Sequence, residues 1–174
     1  MAFNFRDLND DTRRFMIEEI KAAIHEDNLY FSKRFSRAGH DEWPMLLMEA
    51  AKEHDEHWLA YQLETRRLMK GLEGSRTPSG GYTIKHVPRA AAETMAEGQF
   101  NRYYILGLCR RALAEGKTHV FVYRAKQVRA PRTESERLIG QSRDPSDLIE
   151  QLRPVQSSLR HELLRPNSGL SVHL

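Results

Sequence analysis

The chain has 174 residues, of which 40% are hydrophobic and 29% are charged, a composition typical of folded globular proteins. This length suits one domain or two small ones. The single cysteine, Cys109, excludes an internal disulfide and a multi-cysteine zinc site. No apolar run approaches the roughly 20 residues of a membrane span, and the acidic N-terminus lacks the pattern of a secretory signal. We therefore expect a cytoplasmic protein with no membrane partner.

The formal net charge of +3 is unevenly distributed along the chain. Residues 1–100 contain 14 Lys and Arg against 17 Asp and Glu, whereas residues 101–174 contain 13 against 7. Such asymmetry is typical of a nucleic-acid surface, or of an acidic face that docks on the basic face of a neighbouring subunit. A solvated basic surface explains it equally well, and composition alone leaves the three interpretations open.

Residues 1–72 predict a helical block. Asn9 or Asp10 is a suitable cap for a first helix, because an acidic first turn and helical apolar spacing follow. Pro44 predicts the first turn of a second helix after a turn, and a third helix is predicted over residues 55–72. We expect its buried side to comprise Trp58, Leu59, Tyr61, Leu63, Leu68 and Met69.

Residues 73–90 predict a linker or extended arm between two folded blocks. The segment contains three glycines and two prolines and has few large apolar side chains. Its core GYTIKHV, residues 81–87, has the composition of a short strand that can add to a partner. Tyr82 and Lys85 are the contact candidates in this strand.

Residues 91–174 predict a block that combines helices with a small sheet. The strongest helix covers residues 90–114, and its apolar residues lie nearly all round it, as in a buried central helix. Gly116 follows as a terminating glycine. The segment HVFVYRA, residues 119–125, predicts a strand buried on both faces.

Two short helices and a closing strand are predicted after that segment. Thr133 and Glu136 have the spacing of a capping box for the first helix, while Asp144 and Pro145 predict the start of a second that ends near Leu152. The last five residues predict a strand beside HVFVYRA. The expected fold class is therefore α+β, mostly α, with a helical N-terminal block and a C-terminal block built from a central helix and a small sheet.

Candidate metal ligands and nucleophiles are few. His54 and His57 have i, i+3 spacing on an expected helix face, but the zincin and di-iron patterns are absent. They are weak candidates for metal ligands, and we expect no metal and no cofactor. No nucleotide-binding or serine-hydrolase motif is present, and Cys109 lies mid-helix, which favours a buried thiol over a nucleophile. No catalytic residue is therefore assigned.

The second half of the chain is rich in arginine. Planar guanidinium groups suit phosphate and carboxylate alike, so this half has candidates for contact with nucleic acid or a protein partner. These candidates are Arg124, Lys126, Arg129 and Arg132. Recognised nucleic-acid-binding motifs are absent. An acid-x-lysine nuclease motif ending at Lys126 is also incomplete, because its first position is Arg124.

Several segments carry a resemblance to known sequences. They are AETMAEGQFNRYYILGLCRRALAEG at 92–116, VYRAKQV at 122–128, PRTESERLIGQ at 131–141 and PNSGLSVHL at 166–174, together with the opening FNFRDLNDDTRRFMIEEI. With these segments the chain resembles an uncharacterised family of bacterial and prophage proteins. The resemblance implies no catalytic residue, and it associates the chain with phage structures and a virion location.

Three functional hypotheses follow from these observations. The first is a non-enzymatic assembly or interaction subunit, of phage or prophage origin, that binds copies of itself or other protein subunits. The alternative is a nucleic-acid-binding protein that uses the Arg-rich half, which a salt titration of binding would distinguish. An enzyme such as a nuclease is the third hypothesis, testable by nuclease assay with and without a chelator.

Overall fold

A computed structural model describes residues 2–174, in which seven α-helices and five β-strands follow one another along the chain. The helices are α1 (Asp10–His25), α2 (Arg37–Glu53), α3 (Glu56–Thr65), α4 (Ala91–Ala114), α5 (Thr133–Leu138), α6 (Pro145–Leu152) and α7 (Val155–Ser158). The strands are β1 (Leu72–Arg76), β2 (Tyr82–His86), β3 (Val120–Arg124), β4 (Ser142–Arg143) and β5 (Leu170–His173). The predicted class, α+β and mostly α, is confirmed.

Helix α4 is the centre of the fold, and α1, α3 and α6 pack around it. Phe100, Tyr104 and Leu108 are fully buried, as their position on an apolar helix predicts. Gly107 permits a close approach of α1, because a Cβ there would lie 2.9 Å from the backbone nitrogen of Met16. Helices from both ends of the chain therefore share one hydrophobic core.

The three-stranded antiparallel sheet has the order β4-β3-β5, so the predicted closing strand is confirmed. Asn101 of α4 fixes β5, since its Nδ2 donates to the Leu170 carbonyl at 2.9 Å and its Oδ1 accepts from the Ser171 hydroxyl at 2.7 Å. The prediction that β3 is buried on both faces is wrong at Phe121. The N-terminal segment covers Tyr123, but Phe121 stays 40% exposed.

Helix α2 begins at Arg37, so the prediction that it begins at Pro44 is wrong. The Ser36 hydroxyl accepts from the Gly39 backbone nitrogen at 3.1 Å and caps the helix seven residues earlier. Trp43 is fully buried, and its indole nitrogen donates to the Tyr30 carbonyl at 3.0 Å. These contacts stabilise the first turns, and Pro44 is accommodated inside the helix.

Helix α3 ends at Thr65, so the prediction that it runs to residue 72 is also wrong. Arg67 adopts a positive φ of 54°, which ends the helical path, and the Lys70 backbone nitrogen then donates to the Arg34 carbonyl at 2.7 Å. The buried side of α3 also differs from the prediction, because Tyr61 is 59% exposed and Trp58 is only half-buried.

The two predicted caps in the second half have opposite outcomes. The capping box at Thr133 is wrong, because that helix has no side-chain cap and the Glu136 carboxylate instead binds the Arg124 guanidinium. The cap of α6 is confirmed. The Asp144 carboxylate accepts from the backbone nitrogens of Ser146 and Asp147, at 2.7 and 3.2 Å.

Candidate functional site

Residues 72–86 form an antiparallel β-hairpin, which we call the hairpin. Its strands β1 and β2 pair from Leu72 opposite His86 to Arg76 opposite Tyr82. Strand β2 therefore occupies the segment for which a strand was expected, and it pairs within the chain. The turn is closed by the Thr77 backbone nitrogen, which donates to the Gly81 carbonyl at 2.9 Å.

The two faces of the hairpin differ in an unusual way. The inner face is polar, and Arg34 ties it to the body of the protein by donating from Nε and Nη2 to the two Glu73 oxygens, at 2.7 and 3.0 Å. Arg34 holds the pKa of Glu73 below its ordinary value. The outer face bears Leu72, Tyr82 and Ile84, which are 53%, 74% and 69% exposed. Arg76 and His86 share this face and are exposed too. An antiparallel ribbon normally turns its apolar side chains to the core, so three apolar side chains exposed on one face are unusual.

Tyr82 has a defined position on the outer face. Its side chain lies across Gly74 of the opposite strand, where an added Cβ would come within 1.7 Å of the Tyr82 hydroxyl oxygen. Such diagonal cross-strand contacts are within reach of aromatic side chains and stabilise a sheet. The hairpin therefore presents a positioned aromatic ring to solvent.

Four of the six predicted contact residues lie in two exposed segments of the structure. Tyr82 and Lys85 lie on the hairpin, with Lys85 Nζ 3.8 Å from a Glu73 oxygen. Arg129 and Arg132 are exposed in the loop between β3 and α5.

The other two contact candidates are engaged within the chain. Arg124 Nη1 donates to the Ser168 carbonyl at 2.6 Å, and the same guanidinium binds Glu136. Lys126 lies 3.1 Å from Glu93 and also binds Glu97.

Part of the charge asymmetry is neutralised inside the chain. The Glu19 carboxylate is 5% exposed and accepts from Arg153 Nε and Nη2, at 3.0 and 2.8 Å. Arg110 lies 3.4 Å from Glu19 and 2.8 Å from Glu18. These acids of α1 therefore meet bases from the second half without a neighbouring subunit.

The two metal-ligand candidates lie on opposite sides of a helix break. His54 is the C-cap of α2 and its ring stacks on Trp58, with centroids 4.2 Å apart. Asp55 then caps α3, so His57 belongs to the next helix. The expectation that His54 and His57 share a helix face is therefore wrong. Across residues 2–174, no group of three or more His, Cys, Asp or Glu side chains is arranged to hold a metal ion.

Cys109 is fully buried in α4, as predicted, and burial raises the pKa of its thiol. We expect a thiol reagent to label the native protein slowly and the denatured protein rapidly, because the thiol of Cys109 is inaccessible to the reagent and is not ionised in the folded protein. Reaction time courses with and without denaturant measure this difference. Equal rates in the two states would contradict the burial and revive a nucleophilic role.

Sequence reasoning missed Leu72 and Tyr61 as exposed apolar residues, whereas Ile84 belongs to the segment expected to add to a partner. The alternation in Tyr82-Thr83-Ile84 is a signal for a strand with one apolar face, but only the register with β1 shows that this face points away from the body. Tyr61 lies on the side of α3 that also carries the exposed His57, Glu64 and Thr65, so the expectation that it is buried is wrong.

Within the described range, none of the helices combines the length and the hydropathy that crossing a bilayer requires. Comparison with protein-family models, curated proteins and solved structures finds no match to the chain.

Proposed function

We propose that the chain is a non-enzymatic assembly or interaction subunit and that the hairpin is its contact surface for a protein partner. The observation that supports this proposal is the outer face with Leu72, Tyr82 and Ile84 exposed. Exposed aliphatic and aromatic side chains on one face gain free energy when a partner covers them. An isolated two-stranded ribbon is also marginally stable in water, so a partner would stabilise the hairpin itself.

The resemblance of several segments to bacterial and prophage proteins suggests the biological setting. We propose a structural component of a phage or prophage, made in the cytoplasm and assembled into a virion. Its partners are then copies of itself or other protein subunits.

Nucleic-acid binding is the second candidate function, and the exposed Arg129 and Arg132 favour it. Cations that contact phosphates give an affinity that falls steeply with salt concentration. The outer face of the hairpin carries one ring and one cation, Tyr82 and Arg76, but its exposed Leu72 and Ile84 add aliphatic surface, which favours a protein over bases or phosphates. Salt titrations of DNA and RNA binding test this candidate directly.

The double substitution Tyr82→Thr with Ile84→Thr tests the proposed contact surface. Threonine is favoured in strands, so we expect the hairpin to form while association is lost. Sedimentation of the chain alone, and of the chain coproduced with the products of its neighbouring genes, measures association. The matched control is Thr83→Ser, on the opposite face of the same strand.

Limited proteolysis adds an independent readout to this experiment. The turn at residues 77–81 is expected to be cleaved in the unassembled chain and protected in the assembly. Deletion of residues 75–85 is expected to leave the fold intact, because these residues lie outside the hydrophobic core. Association of the double variant at the strength of the unsubstituted chain, or equal cleavage in both states, would overturn the proposal.

A further inference from the structure

A groove between α3 and the first turns of α4 carries an excess of negative charge. Its volume is about 230 Å³. It is lined by Ala2, Glu56, His57, Ala60, Tyr61, Glu64, Glu93 and Glu97. Tyr61 in this groove is 59% exposed, so the groove offers an aromatic surface among carboxylates.

Among residues 2–174, the charges in the groove are only partly compensated. Lys126 binds Glu93 and Glu97 together, so two carboxylates share one ammonium group. Glu56 is buried and its Oε1 accepts from the Phe3 backbone nitrogen at 2.7 Å, whereas Glu64 is exposed. A concave surface with this excess of carboxylates attracts a cationic partner.

The hairpin has the opposite charge. Arg76 lies on its outer face, directly opposite Tyr82, and Lys70 and Arg89 flank its two strands. Lys85 lies on the inner face opposite Glu73, 3.8 Å from that carboxylate. Two outer faces placed against each other would bring their Arg76 side chains together, and like charges opposed across an interface are unfavourable. The outer face therefore fits an acidic surface with apolar content better than it fits another hairpin.

We propose that the groove of one copy of the chain binds the outer face of the hairpin from a second copy. The exposed side of the Tyr82 ring packs beside Tyr61 in the groove, and Arg76, on the same face as Tyr82, faces the carboxylates of Glu64 and Glu93. A positioned aromatic side chain in a pocket, ringed by charges of the complementary sign, is the usual arrangement at the centre of a protein interface.

This inference rests on the proposed function, because it names a second copy as the partner of the hairpin. The hairpin and the groove are different surfaces, and every copy carries both, so the contact is heterologous. Repeated contacts of this type produce closed rings or open filaments, which are the forms expected of an assembly subunit.

A complementation experiment with two variants tests the pairing of the two surfaces. The hairpin variant carries Tyr82→Thr and Ile84→Thr, and the groove variant carries Tyr61→Ser and Glu64→Lys, both at exposed positions. We expect self-association of each variant to be weakened at least about tenfold, since each lacks one of the two surfaces. An equimolar mixture is expected to form dimers, because the intact hairpin of one meets the intact groove of the other. Sedimentation velocity measures the unsubstituted chain, the two variants and their mixture, with Glu150→Lys on α6 as a charge-matched control outside the groove.

The outcomes separate this inference from the proposed function. If the groove variant associates normally while the hairpin variant does not, the hairpin binds another surface and the inference is wrong. The same holds if the mixture stays monomeric, or if the purified chain associates only with products of neighbouring genes. If the hairpin variant associates normally, or nuclease treatment abolishes association, both the inference and the proposed function are wrong.

Discussion

Replacing Phe100 by alanine is expected to lower the free energy of unfolding by about 3–5 kcal/mol, a large part of the stability of a domain of this size. The Phe100 ring is fully buried at the centre of α4, and its centroid lies 5.3 Å from that of Phe5. The Phe5 ring in turn lies 4.6 Å from that of Tyr104. Truncation therefore removes apolar burial and leaves a cavity beneath the N-terminal segment.

Equilibrium denaturation by urea measures this loss, and Leu113→Ala is the matched control. Leu113 belongs to the same helix but is 44% exposed, so its truncation is expected to change stability by about 0.5 kcal/mol or less. An unchanged midpoint for Phe100→Ala would show that α4 is peripheral to the stability of the fold.

The elements that the sequence predicts well are those whose signals are local. Helix α4 has a long apolar pattern and a glycine at its end, and Gly116 indeed adopts a positive φ of 72°. Helix α6 has Asp144 and Pro145 at its start, and both occupy the predicted positions. Caps and periodicity of this kind depend on neighbours within one or two turns, so a single sequence contains them.

The boundaries that the sequence misses depend on contacts between distant residues. The start of α2 is stabilised by the Ser36 hydroxyl, which also donates to the Leu68 carbonyl at 3.1 Å, more than 30 residues away. The same carbonyl accepts from the Ser36 backbone nitrogen at 2.8 Å, so the end of α3 and the start of α2 are fixed together. The sequence around Ser36 and the sequence around Leu68 give no indication that these two residues form a hydrogen bond.

The candidate site, too, is predictable where its signals are local and unpredictable where it depends on distant residues. The composition of residues 81–87 predicts a strand, and Tyr82 and Lys85 do lie on it. The partner strand β1 contains Gly74 and Ser75 and lacks an apolar alternation, so the pairing is not visible in the sequence. The groove is less predictable still, because its walls come from helices separated by the hairpin.

Replacing Arg102 by methionine is expected to destabilise the fold by about 3–5 kcal/mol. Arg102 is 1% exposed, and its Nε and Nη2 donate to the carbonyls of Leu152 and Arg153, at 2.8 and 2.5 Å. These carbonyls are at the C-terminal end of α6, where a helix leaves acceptors without internal donors and favours a positive charge. Methionine preserves most of the apolar stem of Arg102 but supplies none of these hydrogen bonds.

The neighbouring Tyr103 provides the opposite expectation and serves as the control. Its buried hydroxyl has no hydrogen-bond partner within residues 2–174, so it carries a desolvation cost that phenylalanine lacks. We expect Tyr103→Phe to maintain stability or raise it by about 1 kcal/mol. Urea denaturation measures the free energy of unfolding of both variants. It distinguishes Arg102, a buried donor that hydrogen-bonds carbonyls at a helix end, from Tyr103, a buried donor without an acceptor. If Arg102→Met loses no more stability than Tyr103→Phe, packing between α6 and α4, rather than the hydrogen bonds of Arg102, holds the two helices together.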